Sequence, residues 1–195
     1  MTCTIFNALP ESESPLGQAP GAGYVRRTTR IAATEEGVAE KLLILVGTMT
    51  GTAEMVAEEM SDALSGAAFA VEVKPMDGLD AAVFAPGGLF LICSSTYGQG
   101  DVPDNAMTLY NDLCAKKPDL SRVRYGVFSL GDRTYAETFN FGGKKFDKIL
   151  EECGAHRIGA VFTHDASAGT VPEDEGVKWA AEWAKLCQAA KAEAA

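Results

Sequence analysis

Lys41-Leu42-Leu43-Ile44-Leu45-Val46-Gly47-Thr48-Met49-Thr50-Gly51-Thr52-Ala53-Glu54 runs from unbroken apolar residues into a polar turn, then into a new periodicity. Five consecutive apolar residues without polar alternation suit a strand covered on both faces, as in a parallel sheet. After the turn, Ala53, Val56, Met60, Ala63 and Leu64 recur at three- and four-residue spacing, the stripe of a helix with one buried face. Gly66 ends that helix. Strand, turn and helix in this order form the repeating unit of an α/β domain.

The unit recurs downstream. Phe69–Val73, Leu89–Cys93, Tyr125–Leu130 and Arg157–Thr163 read as four further strands. Pro103 opens a helix that ends before Pro118, in keeping with proline's place at helix starts and beyond helix ends. Phe146, Ile149 and Leu150 share a face of a helix closing near Gly154, and Pro172 begins a last helix with Trp179 and Trp183 one turn apart. The pattern predicts a five-stranded parallel sheet with helices on both faces, a three-layer sandwich built by right-handed crossovers. The first forty residues lack such periodicity. With Pro10, Pro15 and Pro20 among Gly and Ser, residues 1–40 are expected to form a flexible extension, with some structure near Tyr24–Ile31, ahead of a domain over 41–190.

Composition narrows the function. The formal net charge of −10 disfavours nucleic acid and anionic membrane and would attract a basic partner. No apolar run reaches the roughly 18 residues of a membrane span, and the N-terminus lacks a signal-peptide layout, so a cytoplasmic location is expected. Cys3, Cys93, Cys114, Cys153 and Cys187 form no C-x-x-C pair, and neither His156 nor His164 has a ligand at metal spacing. No metal site is predicted.

Ligands of such sheets bind beyond the carboxyl ends of the strands, where strand order reverses. The turn Gly47–Glu54 offers free N–H groups at the positive end of a helix dipole, with three threonine hydroxyls but no lysine or arginine. Ala53 stands where a triphosphate-binding loop needs lysine, and Met49 where a dinucleotide fingerprint needs its second glycine. Neutral donors remain, suited to a monophosphate, although ordinary helix capping is an equally good account of this turn alone. The segment Ser94–Asn105 carries Tyr97-Gly98-Gln99-Gly100, an aromatic able to stack on a flat ring beside glycines that permit close approach. Gly131-Asp132-Arg133-Thr134-Tyr135 supplies a second aromatic.

Thr48-Met49-Thr50-Gly51-Thr52-Ala53, Ser95-Thr96-Tyr97-Gly98-Gln99-Gly100-Asp101 and Leu130-Gly131-Asp132-Arg133-Thr134-Tyr135 together resemble the three FMN-binding loops of flavodoxins. The similarity spans about residues 41–187 and is strongest to short-chain, MioC-type flavodoxins and to the FMN domains of diflavin reductases. It implies a flavodoxin-like sandwich. It also implies that Thr48, Met49, Thr50, Gly51, Thr52 and Ala53 hold the phosphate of FMN, while Tyr97 and Tyr135 flank the ring. Ser95, Thr96, Gly98, Gly100, Leu130, Gly131 and Asp132, with Phe139 and Asn140, complete the implied cofactor set. The Gly98 carbonyl is expected to turn toward flavin N5 when that atom gains a hydrogen. Asp101, Asp104 and Asp132 are expected to oppose a second negative charge on the ring, and Asp165 is a further candidate acid. Ala136-Glu137-Thr138 is one residue longer than the diflavin pattern.

The implied function is that of a monomeric electron carrier without a catalytic residue of its own. It would pass electrons from an NAD(P)H-dependent flavodoxin reductase to a redox acceptor protein through basic docking surfaces on the partners. The competing reading is an FMN-dependent NAD(P)H:quinone reductase on the same fold. A binding module that has lost flavin is disfavoured by the intact loops, and a phosphoacceptor regulator by Thr48 and Met49 where acids are needed.

Overall fold

A computed structural model describes residues 39–66 and 68–193. The expected flexible extension, including Tyr24–Ile31, lies outside the described residues but for its end. Strand β1 (Glu40–Gly47) begins two residues ahead of the apolar run, with Glu40 paired to Arg124 and Lys191. Helix α1 (Thr52–Leu64), β2 (Phe69–Pro75), β3 (Gly88–Ser95), α2 (Asp104–Lys116) and β4 (Val123–Gly131) follow. Helix α3 (Phe141–Glu152), the short strands β5 (His156–Arg157) and β6 (Phe162–Asp165), and α4 (Pro172–Glu193) complete the chain.

All strand pairs are parallel, in the order β2-β1-β3-β4-β5, with β6 also pairing β4. Alternation along each strand sends side chains to opposite faces. Leu42, Ile44, Val46, Leu91, Cys93, Phe128 and Leu130 pack under α1 and α4, while Leu45, Phe90, Ile92, Tyr125 and Val127 pack under α2 and α3. Each fully buried Leu, Ile or Phe contributes about 1.5–3 kcal/mol, which explains why the central strands carry almost no polar residue.

The single fifth strand expected over Arg157–Thr163 is instead two pieces. Between the β4 partners of β5 and β6 lie two residues, Gly126 and Val127, whereas the other side carries four, Ile158–Val161. Trp183 accounts for the break. Its indole lies so close over Gly126 that a Cβ there would stand 2.5 Å from Nε1. That Nε1–H donates to the Ile158 carbonyl at 2.9 Å, taking an acceptor that would otherwise serve the ladder. Helix α3 also begins earlier than the Phe146 stripe implies, because Gly142 and Gly143 sit inside it against Ser95 and Ser129.

Candidate functional site

Order reverses between β1 and β3, and the carboxyl ends of β1, β3, β4 and β6 open on a cavity of ≈ 510 Å³. That size falls in the range of small-molecule sites. Its wall is formed by Thr50, Thr52, Ser95, Thr96, Tyr97, Gly98, Leu130, Gly131, Asp132, Tyr135, Thr138, His164, Ala166, Thr170 and Pro172. Ten of these were expected from sequence, and Thr138, His164, Ala166, Thr170 and Pro172 were not.

The turn after β1 is braced from behind. Asn105 accepts the Thr48 N–H at 2.9 Å and donates to the Val46 carbonyl and to Asp77. Thr48 Oγ1 accepts the Gly51 N–H at 3.0 Å, and Gly51 takes φ 88, a left-handed conformation that costs glycine little. Met49 turns its sulfur to the Asp104 N–H at 3.3 Å. Thr48, Met49, Gly51 and the buried Ala53 therefore shape the turn without lining the cavity by side chain. The N–H groups of Met49, Thr50, Thr52 and Ala53 have no partner among the described residues, and the Thr50 and Thr52 hydroxyls lie 3.4 Å apart. Four free donors at a helix start make an anion cradle.

The turn after β3 is closed by the Tyr97 and Asp101 backbones, with Gly98 at φ 54 and Gly100 at φ 89. Gly100 is buried against Thr138 and Phe141, which a Cβ would meet within 3.0 Å, so it serves packing rather than the cavity. Tyr97 is 50% exposed and Tyr135 69%, large apolar faces left open at the cavity.

After β4, Asp132 accepts the Thr134 N–H at 2.8 Å. Asp165 does not line the cavity: it accepts bonds from the Arg133 N–H and from the Ser167 hydroxyl and N–H, and these, Arg133 first, hold its carboxyl below the usual range. Asp101 is drawn to Lys145 at 2.8 Å, and Asp104 starts α2, leaving Asp132 as the acid in the wall. Phe139 lies under the Arg133 guanidinium, 4.9 Å from its ring centroid, outside the wall. Asn140, wholly buried at φ 58, donates to the His164 carbonyl at 3.0 Å and backs the wall without forming it. His164 bonds Glu175 at 2.7 Å.

Comparison with known proteins agrees with this arrangement. The family model described as Flavodoxin matches residues 44–179. The chain is similar to protein MioC of Escherichia coli, 34% identical over 74% of this chain and 97% of that one. NADPH–cytochrome P450 reductase of Oryctolagus cuniculus is 33% identical over 88% of this chain and 26% of its own length. Among solved structures, a cysteine-to-alanine mutant of flavodoxin from Pseudomonas aeruginosa superposes with TM-score 0.67 at 35% identity, covering 75% of this chain and 97% of that one. A parallel sheet with its cavity at the reversal point, a matched model across most of the chain and a relative covered nearly end to end lead to one assignment: this chain belongs to the flavodoxin family.

Proposed function

We propose that the chain binds one FMN in this cavity and works as an electron carrier. Its donor would be an NAD(P)H-dependent reductase and its acceptor another redox protein. The observation that carries the reading is a turn whose four N–H groups have no partner among the described residues, reaching one cavity through Thr50 and Thr52, where two exposed tyrosines also lie. Neutral donors suit a monophosphate, and open aromatic faces suit the flat ring joined to it. When bound, FMN would supply the electron chemistry.

The residues divide the work. Met49, Thr50, Thr52 and Ala53 hold the phosphate by backbone N–H, helped by the hydroxyls of Thr50 and Thr52, with Thr48 and Gly51 fixing the turn. Tyr97 and Tyr135 flank the ring. Ser95, Thr96, Leu130 and Gly131 line it, and Gly98, already at positive φ, lets its peptide reorient at small cost. Asp132 places one negative charge in the wall, which disfavours further charge on the ring, with solvent screening part of the effect. The −10 net charge favours fast, transient docking of basic partners.

Anaerobic reduction tests the reading. With FMN bound, NADPH alone is expected to leave the chain oxidised, and a catalytic amount of flavodoxin reductase is expected to reduce it. Rapid NADPH–quinone turnover without added reductase would instead make the chain an enzyme.

A further inference from the structure

We propose that Asn105 positions the phosphate cradle: its side-chain amide stands in for a strand partner beside Gly47, fixes the course of the turn after β1, and so governs affinity for the phosphate end of FMN more than for the ring. The inference rests on the FMN reading above and adds to it a residue that does not line the cavity.

The need for such a residue arises where the sheet ends. In a parallel pair, a residue's N–H and C=O bond to two different residues of the neighbour, one on either side of the residue it faces. By that rule Met76, following β2, would donate to the Val46 carbonyl and accept the Thr48 N–H. It makes the first bond at 3.0 Å, but its carbonyl accepts the Leu79 N–H at 3.1 Å instead, as the chain turns away from β1. Asn105 completes the step. Its Oδ1 accepts the Thr48 N–H at 2.9 Å, and its Nδ2 donates to the Val46 carbonyl at 3.3 Å and to Asp77 Oδ2 at 3.2 Å.

Only a short amide meets this demand. Its oxygen and both N–H groups have partners, and turning it over would set NH2 against the Thr48 N–H and the oxygen against a carbonyl and a carboxylate. The orientation is therefore fixed by the contacts. Aspartate, of the same size, would keep the acceptor and lose both donors.

Asn105 itself is held firmly, as the second residue of α2. Beside it, Ala106 packs on Gly47, where a Cβ would stand 3.3 Å from Ala106 Cβ and 2.9 Å from Ser94 Oγ. Ser95 Oγ donates to the Gly47 carbonyl at 3.2 Å, and the Asp104 N–H reaches the Met49 sulfur at 3.3 Å. The backbone from Val46 to Thr48 is thus held along its length, whereas the N–H groups of Met49, Thr50, Thr52 and Ala53 have no partner among the described residues. A held stretch running into a free one is what aims the donors. The peptide unit is rigid, so a shift at Thr48 passes directly to the Met49 N–H, and hydrogen bonds weaken steeply with misalignment. The ring end is built from the segments after β3 and β4, to which the Asn105 side chain makes no bond among the described residues.

The test uses the full chain freed of flavin. By amide hydrogen exchange, the Thr48 N–H is expected to be protected in the wild type and to exchange at least about tenfold faster in Asn105→Ala. Titration with FMN and with riboflavin, followed by flavin fluorescence, gives affinities. Asn105→Ala is expected to weaken FMN about tenfold and riboflavin by less than about twofold, and to move the phosphorus NMR line of bound FMN. Asn105→Asp sets a second carboxylate against Asp77 and is expected to weaken FMN at least as much. Adding Asp77→Asn is expected to recover at least about threefold, because an amide at 77 can donate to the new carboxylate. Equal weakening of both flavins, unchanged FMN affinity in Asn105→Ala, or no recovery in the double variant overturns the inference. If Asn105→Ala does not fold, the near-isosteric Asn105→Asp, with and without Asp77→Asn, decides. A wild-type chain that binds FMN while its variants bind equally well defeats this inference only; a wild-type chain that binds neither flavin defeats the FMN reading and this inference together.

Discussion

Replacing Gly142 with alanine is expected to injure the site and the fold together. A Cβ at this position would stand 2.2 Å from the Ser95 carbonyl oxygen, 3.1 Å from its carbon and 3.2 Å from Thr96 Cα. Carbon and oxygen normally meet at about 3.3–3.6 Å, so roughly 1 Å of separation must open between α3 and the end of β3. Both sides are backbone, and neither yields as a side-chain tip would. The same movement stretches the bond from the Gly142 N–H to Thr96 Oγ1, now 3.1 Å. Forced displacement costs about 1–3 kcal/mol and the hydrogen bond about 0.5–1.5, while alanine's better helix propensity returns at most about 1. The net expectation is about 2 kcal/mol of lost stability, or about 4–8 °C in Tm for a domain of this size. Ser95 and Thr96 line the cavity, so FMN affinity is expected to fall at least about tenfold, the equivalent of about 1.4 kcal/mol. Thermal melts by circular dichroism and FMN titration measure both, with Lys148→Ala on the exposed side of α3 as control. An unchanged Tm with unchanged affinity would refute the steric reasoning.

Further outcomes follow from other parts of the molecule. Tyr135→Ala is expected to leave the melting temperature unchanged but to weaken FMN by up to about tenfold, since one aromatic stack contributes about 0.5–1.5 kcal/mol; equilibrium titration measures it. Trp183→Phe removes the donor to the Ile158 carbonyl and is expected to cost about 1–3 kcal/mol in urea unfolding. The Asp165 carboxyl, held below its ordinary value near 3.8 by the Arg133 N–H and then by Ser167, stabilises the folded state above that value. Its contribution is lost as pH falls through the lower folded-state value, so the melting difference between wild type and Asp165→Asn should shrink in acid. Burial pushes the Cys187 thiol up to about 12 and Cys93 higher still, so a thiol reagent is expected to modify the exposed Cys114 in the native protein and these two only after unfolding.

Much of this was legible in the sequence because it depends on local pattern. Leu42–Val46 and Leu89–Cys93 announce buried parallel strands without reference to anything distant. The cradle was legible too, because strand, turn and helix start are contiguous. What escaped depends on distant pairs. The broken fifth strand is caused by Trp183, twenty-five residues beyond Ile158, and a glycine at 126 gives no hint of the indole over it. The early start of α3 leaves no mark on the apolar stripe, because Gly142 and Gly143 enter the helix by allowing close approach to Ser95 and Ser129. His164 passed as a lone histidine without metal spacing; its partner Glu175 lies on another element, and no periodicity links them. Phe139 and Asn140 were adjacent to the right loop, but one is held beneath Arg133 and the other is tied to the His164 carbonyl behind the wall.

Occupation by FMN of the cavity at the reversal of strand order underlies every role assigned above. It is tested most directly by purifying the full chain, recording its visible spectrum, and releasing and quantifying whatever flavin it carries, followed by titration of the flavin-free chain. One FMN per chain is expected, either carried through purification or bound on addition. A colourless chain that binds no added FMN would contradict it.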